Sequence, residues 1–125
     1  ATMALLKKAA SASILFTTSE LNNKSKANWG AYAVASAGIQ AMMQMLAAEC
    51  ENISNLRVNA IKPHKVQTNL RAQAYPAEDK SILNKPEDIV SQYIYLMSDD
   101  SKHLNGTVQN IEGCLYETNQ QASNY

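Results

Sequence analysis

The stretch NWGAYAVASAGIQAMMQMLAAE, Asn28 to Glu49, places a tyrosine in the opening turn of a long segment rich in apolar residues. A phenol at the start of a helix can give or take a proton at a substrate oxygen. Left alone, with a pKa near 10, a phenol is ionised in only about one molecule per thousand at neutral pH. A cation a few ångströms away lowers that pKa by roughly one to three units. Helical residues four apart share a face, and four residues after Tyr32 stands Ser36, which brings no charge. The segment offers a proton-transfer group without an electrostatic helper.

Other chemistries find less support. His64 and His103 lie far apart and lack acidic partners at ligand spacing, so no metal site is expected. Cys50 and Cys114 are too few and too distant for a disulfide framework or a zinc site; they read as two reduced thiols in a cytoplasmic protein. Eleven basic and eleven acidic side chains cancel, which gives no electrostatic reason to expect nucleic acid or an anionic membrane as partner. A chain of 125 residues, 46% hydrophobic and 18% charged, has the composition of one soluble globular domain. No apolar run is long enough to span a bilayer. The first residues are too lightly apolar for a signal peptide, so the glycosylation sequons at Asn52 and Asn105 read as coincidence.

The elements that would position Tyr32 follow from periodicity. Residues 1–10 resemble the tail of a helix, and Ser13 to Thr17 form a β-branched and aromatic run suited to a buried strand. Residues 20–29 read as a loop. From Gly30, the recurrence of Ala35, Ile39, Met42, Leu46 and Cys50 predicts a five-turn helix with that stripe inward, widened by Val34, Gly38 and Met45. Two of the three methionines 42, 43 and 45 are expected to face the core. Leu56 to Ile61 alternates as a strand, and residues 65–85 read as a lid-like loop with one short helix. Pro86, Glu87 and Asp88 open a helix whose buried face is Ile89, Tyr93, Leu96 and Met97. Asn105-Gly106 marks a turn, Thr107 to Ile111 a last strand, and residues 113–125 a loose tail. Alternation of this kind implies an α/β fold, with a parallel sheet, right-handed crossovers and helical cover.

Four landmarks in this order resemble the second half of a short-chain dehydrogenase/reductase. Ser19 lies thirteen residues before Tyr32, the family's serine-to-tyrosine spacing. ANWGAYA precedes a long helix, as the family's tyrosine segment does. LRVNAIKPHKVQTNL resembles its arginine-valine-asparagine strand, Asn-Pro-Gly turn and threonine, and KPEDIVSQYIYLMSDDSKHLNGTVQNIEG its closing helix, turn and strand. The resemblance implies a Rossmann-like fragment, the C-terminal half of a doubly wound sheet, as one partial domain over residues 1–125. It implies Tyr32 as acid or base and Ser19 as the group that steadies the substrate oxygen. Pro63 and Thr68 would touch the cofactor, NAD or NADP, and the substrate would be a small alcohol or carbonyl compound.

The same resemblance exposes departures. The family's lysine, four residues after the tyrosine, is Ser36 here, and its Asn-Pro-Gly turn reads Lys62-Pro63-His64. None of Gly30, Gly38, Gly106 and Gly113 forms the glycine-rich phosphate turn that opens such folds. Independent cofactor binding by these residues is therefore not expected, and the strand at Ser13 to Thr17 should form an open sheet edge. Two readings stand. In one, a supplied nucleotide-binding half completes an NAD(P)-dependent oxidoreductase. In the other, the chain is a degenerate, non-catalytic remnant acting as a structural or interaction subunit, pairing with a second copy or a companion chain through residues 30–51. Lys62 and Lys65 read either as solvated loop lysines or as a cation arriving from a new direction. Trp29 is either a pocket wall or a buried packing residue.

Overall fold

The structure, a computed structural model, describes residues 2–19 and 27–111. The expected loop residues 20–26, the tail after Gly113 and Cys114 lie outside the described residues. The elements run α1 (Thr2–Lys8), β1 (Ala12–Thr17), α2 (Gly30–Glu49), β2 (Leu56–Pro63), α3 (Asn69–Ala74), α4 (Pro86–Met97) and β3 (Val108–Ile111). Short 3-10 turns lie at Lys80–Ile82 and Asp99–Ser101. The lid segment thus carries a 3-10 turn besides its expected helix. Strand β2 extends two residues beyond the expected Ile61, which takes Lys62 out of the loop and into the sheet.

The three strands are parallel in the order β1-β2-β3, so β2 is central and β1 forms an edge. Ala12 pairs with Leu56 and Thr17 with Ile61 on one side of β2; Ala60 pairs with Val108 and Pro63 with Ile111 on the other. Seven of the eight β2 residues are buried, as a strand covered on both faces requires.

Side-chain alternation divides β2 into two chemically different faces. Val58 and Ala60 pack with Met43 and Ala47 of α2, and Leu56 packs with Cys50 and Ala12. The opposite face carries the polar Arg57 and Asn59 beside the buried Ile61. Arg57 donates to the carbonyls of Met97 (3.1 Å) and Ser98 (2.6 Å), so its charge sits at the C-terminal end of α4, where the helix dipole favours a cation. Asn59, fully buried, donates to Leu104 O and accepts from the Thr107 N–H and hydroxyl. On β1, Ser13 and Thr17 likewise bond to α4, through Leu96 O and the Tyr93 hydroxyl.

Helices α2 and α4 therefore cover opposite faces. Both crossovers step in the same direction along the sheet, so opposite faces mean opposite hands, and one of the two is left-handed. The expectation of right-handed crossovers throughout fails here. The β2-to-β3 connection is long enough to wrap the sheet either way, and the buried polar pairs of Arg57 and Asn59 hold α4 and its following turn on their own face.

Two expectations about helix faces are also corrected. The inward residues of α2 are Ser36, Met43 and Ala47, with Cys50 just beyond, while Ala35 and Met42 are exposed. The stripe is rotated by about one residue from the predicted one, and one methionine of three, Met43, reaches the core. Apolar residues on every side of α2 make the period ambiguous; close approach to the sheet selects the arc with small residues. On α4, Ile89 and Leu96 are buried as expected but Met97 is exposed. Gly106 has φ of +70°, and a Cβ there would meet the Ala47 Cβ at 3.5 Å, so the Asn-Gly turn is a requirement of conformation.

Replacing Asn59 by alanine removes the partner of the part-buried Thr107 N–H and Leu104 carbonyl. The expected loss is about 2–4 kcal/mol, read from urea unfolding. A change under about 0.5 kcal/mol, the range of ordinary surface substitutions, contradicts this account.

Candidate functional site

At the C-terminal edge of the sheet the strand ends, the start of α2 and the lid surround a cleft of about 430 Å³. Thr18 fastens its floor. Buried just past β1, it donates its N–H to Ile61 O (2.9 Å) and its hydroxyl to Ser36 O (3.0 Å). One residue thereby fixes the end of β1 against both β2 and α2. Ser19, next in the chain, is half-buried and lines the cleft.

Tyr32 stands on the first turn of α2, 40% exposed, and lines the same cleft. The chain enters α2 through Asn28 at φ of +67°, a left-handed conformation that asparagine tolerates better than most residues. That turn delivers Trp29, whose ring meets Tyr32 edge-on at 5.6 Å and stacks on Tyr75 of the lid at 5.6 Å and 20°. Trp29 is thus a wall of the cleft.

The lid is closed at its base and latched at its tip. Val66 bridges to Asn84, with Gln67 N–H donating to Asn84 O (2.8 Å) and Asn84 N–H to Lys65 O (3.2 Å). Thr68 caps α3 by accepting from the Arg71 N–H (3.2 Å), and also lines the cleft. The Arg71 guanidinium lies 4.7 Å from the Tyr75 ring centre and grips Glu78 with two hydrogen bonds of 2.6 and 2.7 Å. A continuous contact chain runs from Tyr32 through Trp29, Tyr75 and Arg71 to Glu78. Such aromatic pairs contribute about 0.5–1.5 kcal/mol each beyond burial.

Four residues singled out from the sequence, Ser19, Tyr32, Pro63 and Thr68, line this one cleft. Ser36 does not line it; it is buried beneath Tyr32, its carbonyl committed to Thr18. Thr18, Arg71, Tyr75 and Glu78 were not legible as site residues: Thr18 and Tyr75 find Ser36, Ile61 and Trp29 far away in sequence, and Arg71 and Glu78 lie in a lid without a clear period. The only hint was an aromatic residue in an otherwise polar lid, AQAYPAE. Lys62, read as a loop lysine, lies in β2 and is 5% exposed. No group of His, Cys, Asp and Glu among the described residues could hold a metal ion.

Comparison with known proteins identifies the family and the fold. The family model described as enoyl-(acyl carrier protein) reductase matches residues 1–114. The oxidoreductase YciK of Escherichia coli K12 is 42% identical over 106 residues, covering 85% of this chain and 41% of that protein. A short-chain dehydrogenase structure from Salmonella enterica serovar Typhi superposes with a TM-score of 0.82 at 42% identity, over 86% of this chain and 44% of that one. An Escherichia coli CFT073 structure, complexed with NADPH, superposes with a TM-score of 0.81 at 41% identity, again over 86% and 44%. The chain belongs to the short-chain dehydrogenase/reductase family of oxidoreductases and spans less than half the length of these relatives. The fold is accordingly a fragment of a Rossmann-like sheet. No helix among the described residues is long and apolar enough to cross a membrane.

If the Trp29–Tyr75 stack latches the lid, Trp29→Ala loosens it. Trypsin cleavage after Arg71 or Lys80 should then quicken roughly two- to tenfold, the equivalent of one aromatic contact. An unchanged cleavage rate contradicts the latch.

Proposed function

We propose that this chain carries the substrate half of an NAD(P)-dependent oxidoreductase acting on a small alcohol or carbonyl compound. The observation that carries the reading is the convergence of Ser19 and Tyr32 on a single lidded cleft. Its donor set suits the nicotinamide end of a dinucleotide: hydroxyls from Ser19, Tyr32 and Thr68, with apolar surface from Pro63, Val66 and Leu70. The phosphates need a glycine-rich turn that these 125 residues do not contain. The NADPH bound to the CFT073 relative supports this choice of cofactor.

The cofactor, when bound, supplies or accepts the hydride. The Ser19 hydroxyl donates a hydrogen bond to the substrate oxygen and fixes its position. The Tyr32 hydroxyl donates its proton to that oxygen in reduction and recovers it in oxidation. The lid, with Tyr75 over the cleft, excludes water and confines the substrate. Cys50, a free buried thiol, is in keeping with a reducing, cytoplasmic setting.

A second reading, as an interaction subunit, draws on the outward face of α2. Val34 is 73% exposed and Met45 61% exposed, with Met42 beside them. Such a patch suits a second copy of the chain or a companion chain. Under this reading Val34→Lys with Met45→Glu converts an oligomer to a monomer in light scattering, whereas a wild-type monomer counts against it.

The reductase reading is tested in the full natural polypeptide that carries this sequence. NADPH fluorescence should respond on titration. Tyr32→Phe should lower carbonyl turnover about a hundredfold or more while NADPH binding stays. No fluorescence response, or full activity in the variant, overturns it.

A further inference from the structure

The charge around the cleft is one-sided. Its lining includes Lys65, Arg71 and His64 and, among the described residues, no aspartate or glutamate. Acidic and basic side chains balance over the whole chain, so this lining is a local departure.

Helix α3 explains where the nearest acid has gone. Leu70 and Ala74, one turn apart, line the cleft, whereas Asn69 and Ala72 line a second cavity of about 270 Å³. The helix is thus a partition between the two. Arg71 belongs to both cavities, but Glu78 lines the second alone. Glu78 accepts from Arg71 Nε and Nη2 at 2.6 and 2.7 Å, so both bonds fall on one edge of the guanidinium and fix its plane. Lys65 Nζ lies 4.0 Å from the same carboxylate. Two cations share one carboxylate, which leaves one net positive charge among the described residues of this cluster. Both cations line the cleft; the acid stands behind them.

Aromatic surface connects this charge to the reactive end. Three steps lead from the Tyr32 ring to Trp29, to Tyr75 and to the Arg71 guanidinium, of 5.6, 5.6 and 4.7 Å. The Trp29 and Tyr75 rings lie within 20° of parallel, so the path between the two polar ends is a flat apolar wall.

We propose that the substrate of this cleft is a carbonyl compound that also bears a carboxylate, the two joined by a flat apolar body. The carbonyl meets Ser19 and Tyr32, the body lies along Trp29 and Tyr75, and the carboxylate is held by Arg71 and Lys65. In reduction the carbonyl carbon takes the hydride of NADPH and its oxygen the Tyr32 proton; the carboxylate is unchanged. A single surplus charge matches a monoanion, whereas a phosphate monoester carries about −1.5 to −2 at neutral pH. The inference deepens the reductase reading and rests on it for the carbonyl; the anion subsite stands apart from it.

The test uses the full natural polypeptide and three probes: 4-formylbenzoate, its methyl ester and 4-formylphenyl phosphate. NADPH consumption gives kcat/KM for each. Wild type should favour the acid over the ester about tenfold or more, through KM, the worth of a charged hydrogen bond. In the double variant Lys65→Gln, Arg71→Gln the ratio should fall to within about threefold of unity. Glu78→Gln raises the surplus charge, and should improve the phosphate relative to the carboxylate about threefold or more. A lid that served structure alone would slow all probes together and leave these ratios unmoved.

An ester used as well as the acid by wild type overturns the inference, as does an acid preference that survives in the double variant. If no probe is reduced, calorimetric titration of 4-formylbenzoate decides. Binding that disappears in the double variant keeps the anion subsite while the reductase reading falls. Absence of binding overturns the subsite, and NADPH fluorescence then judges the reductase reading alone. Should the double variant not fold, Lys65→Gln, at a half-exposed position, should lower the acid preference about threefold; an unchanged preference overturns the assignment.

Discussion

The whole arrangement depends on β2 being buried on both faces while presenting different chemistry to each. Strand alternation sends Leu56, Val58 and Ala60 toward α2 and Arg57 and Asn59 toward α4. The apolar face binds α2 by burial, which is non-directional and tolerates rotation of the helix. The polar face binds α4 and the turn before β3 through hydrogen bonds at fixed positions, which do not tolerate it. A one-residue slip of β2 would invert both at once. The strand therefore locates every element that reaches the cleft.

At the C-terminal end of β2 that precision passes to the site. Thr18 ties three backbone segments together, so Ser19 and the first turns of α2 take their positions from the sheet. The lid is held differently. Its base is a backbone bridge at Val66 and Asn84, and its tip rests on side chains alone, Tyr75 on Trp29 with Arg71 behind. A segment secured by backbone at one end and by a ring stack at the other can open without disturbing the floor. That division suits a cleft that must admit and release a ligand.

Much of this was legible in the sequence, and the failures share a cause. Tyr32 stood out as a phenol at a helix start, while Ser19 and Thr68 were singled out only through the spacing and motif that resemble the family. The turn at Asn105-Gly106 and the proline-opened α4 were legible from local pattern. The inward face of α2 was not, because Val34, Met42, Met43, Met45 and Leu46 point in several directions and the sheet chooses among them. The serine at position 36 scored as polar, yet it is buried where α2 comes close to β1. Lys62 was misplaced because a lysine beside a proline looks like a loop, and only pairing with β3 shows that β2 continues through it.

By itself, the sequence determined the order of elements, their parallel character, and the place of Tyr32 at the start of a long helix. These are properties of local pattern: period, capping and turn chemistry, all settled within a few residues. Tertiary structure alone decided that α2 and α4 lie on opposite faces, that the two crossovers differ in hand, and which arc of α2 meets the sheet. It also joined Trp29 to Tyr75 and set the buried Lys62 on the face toward α2. Each of these is a contact between residues distant in the chain, governed by steric fit and by the partners a buried polar group can find.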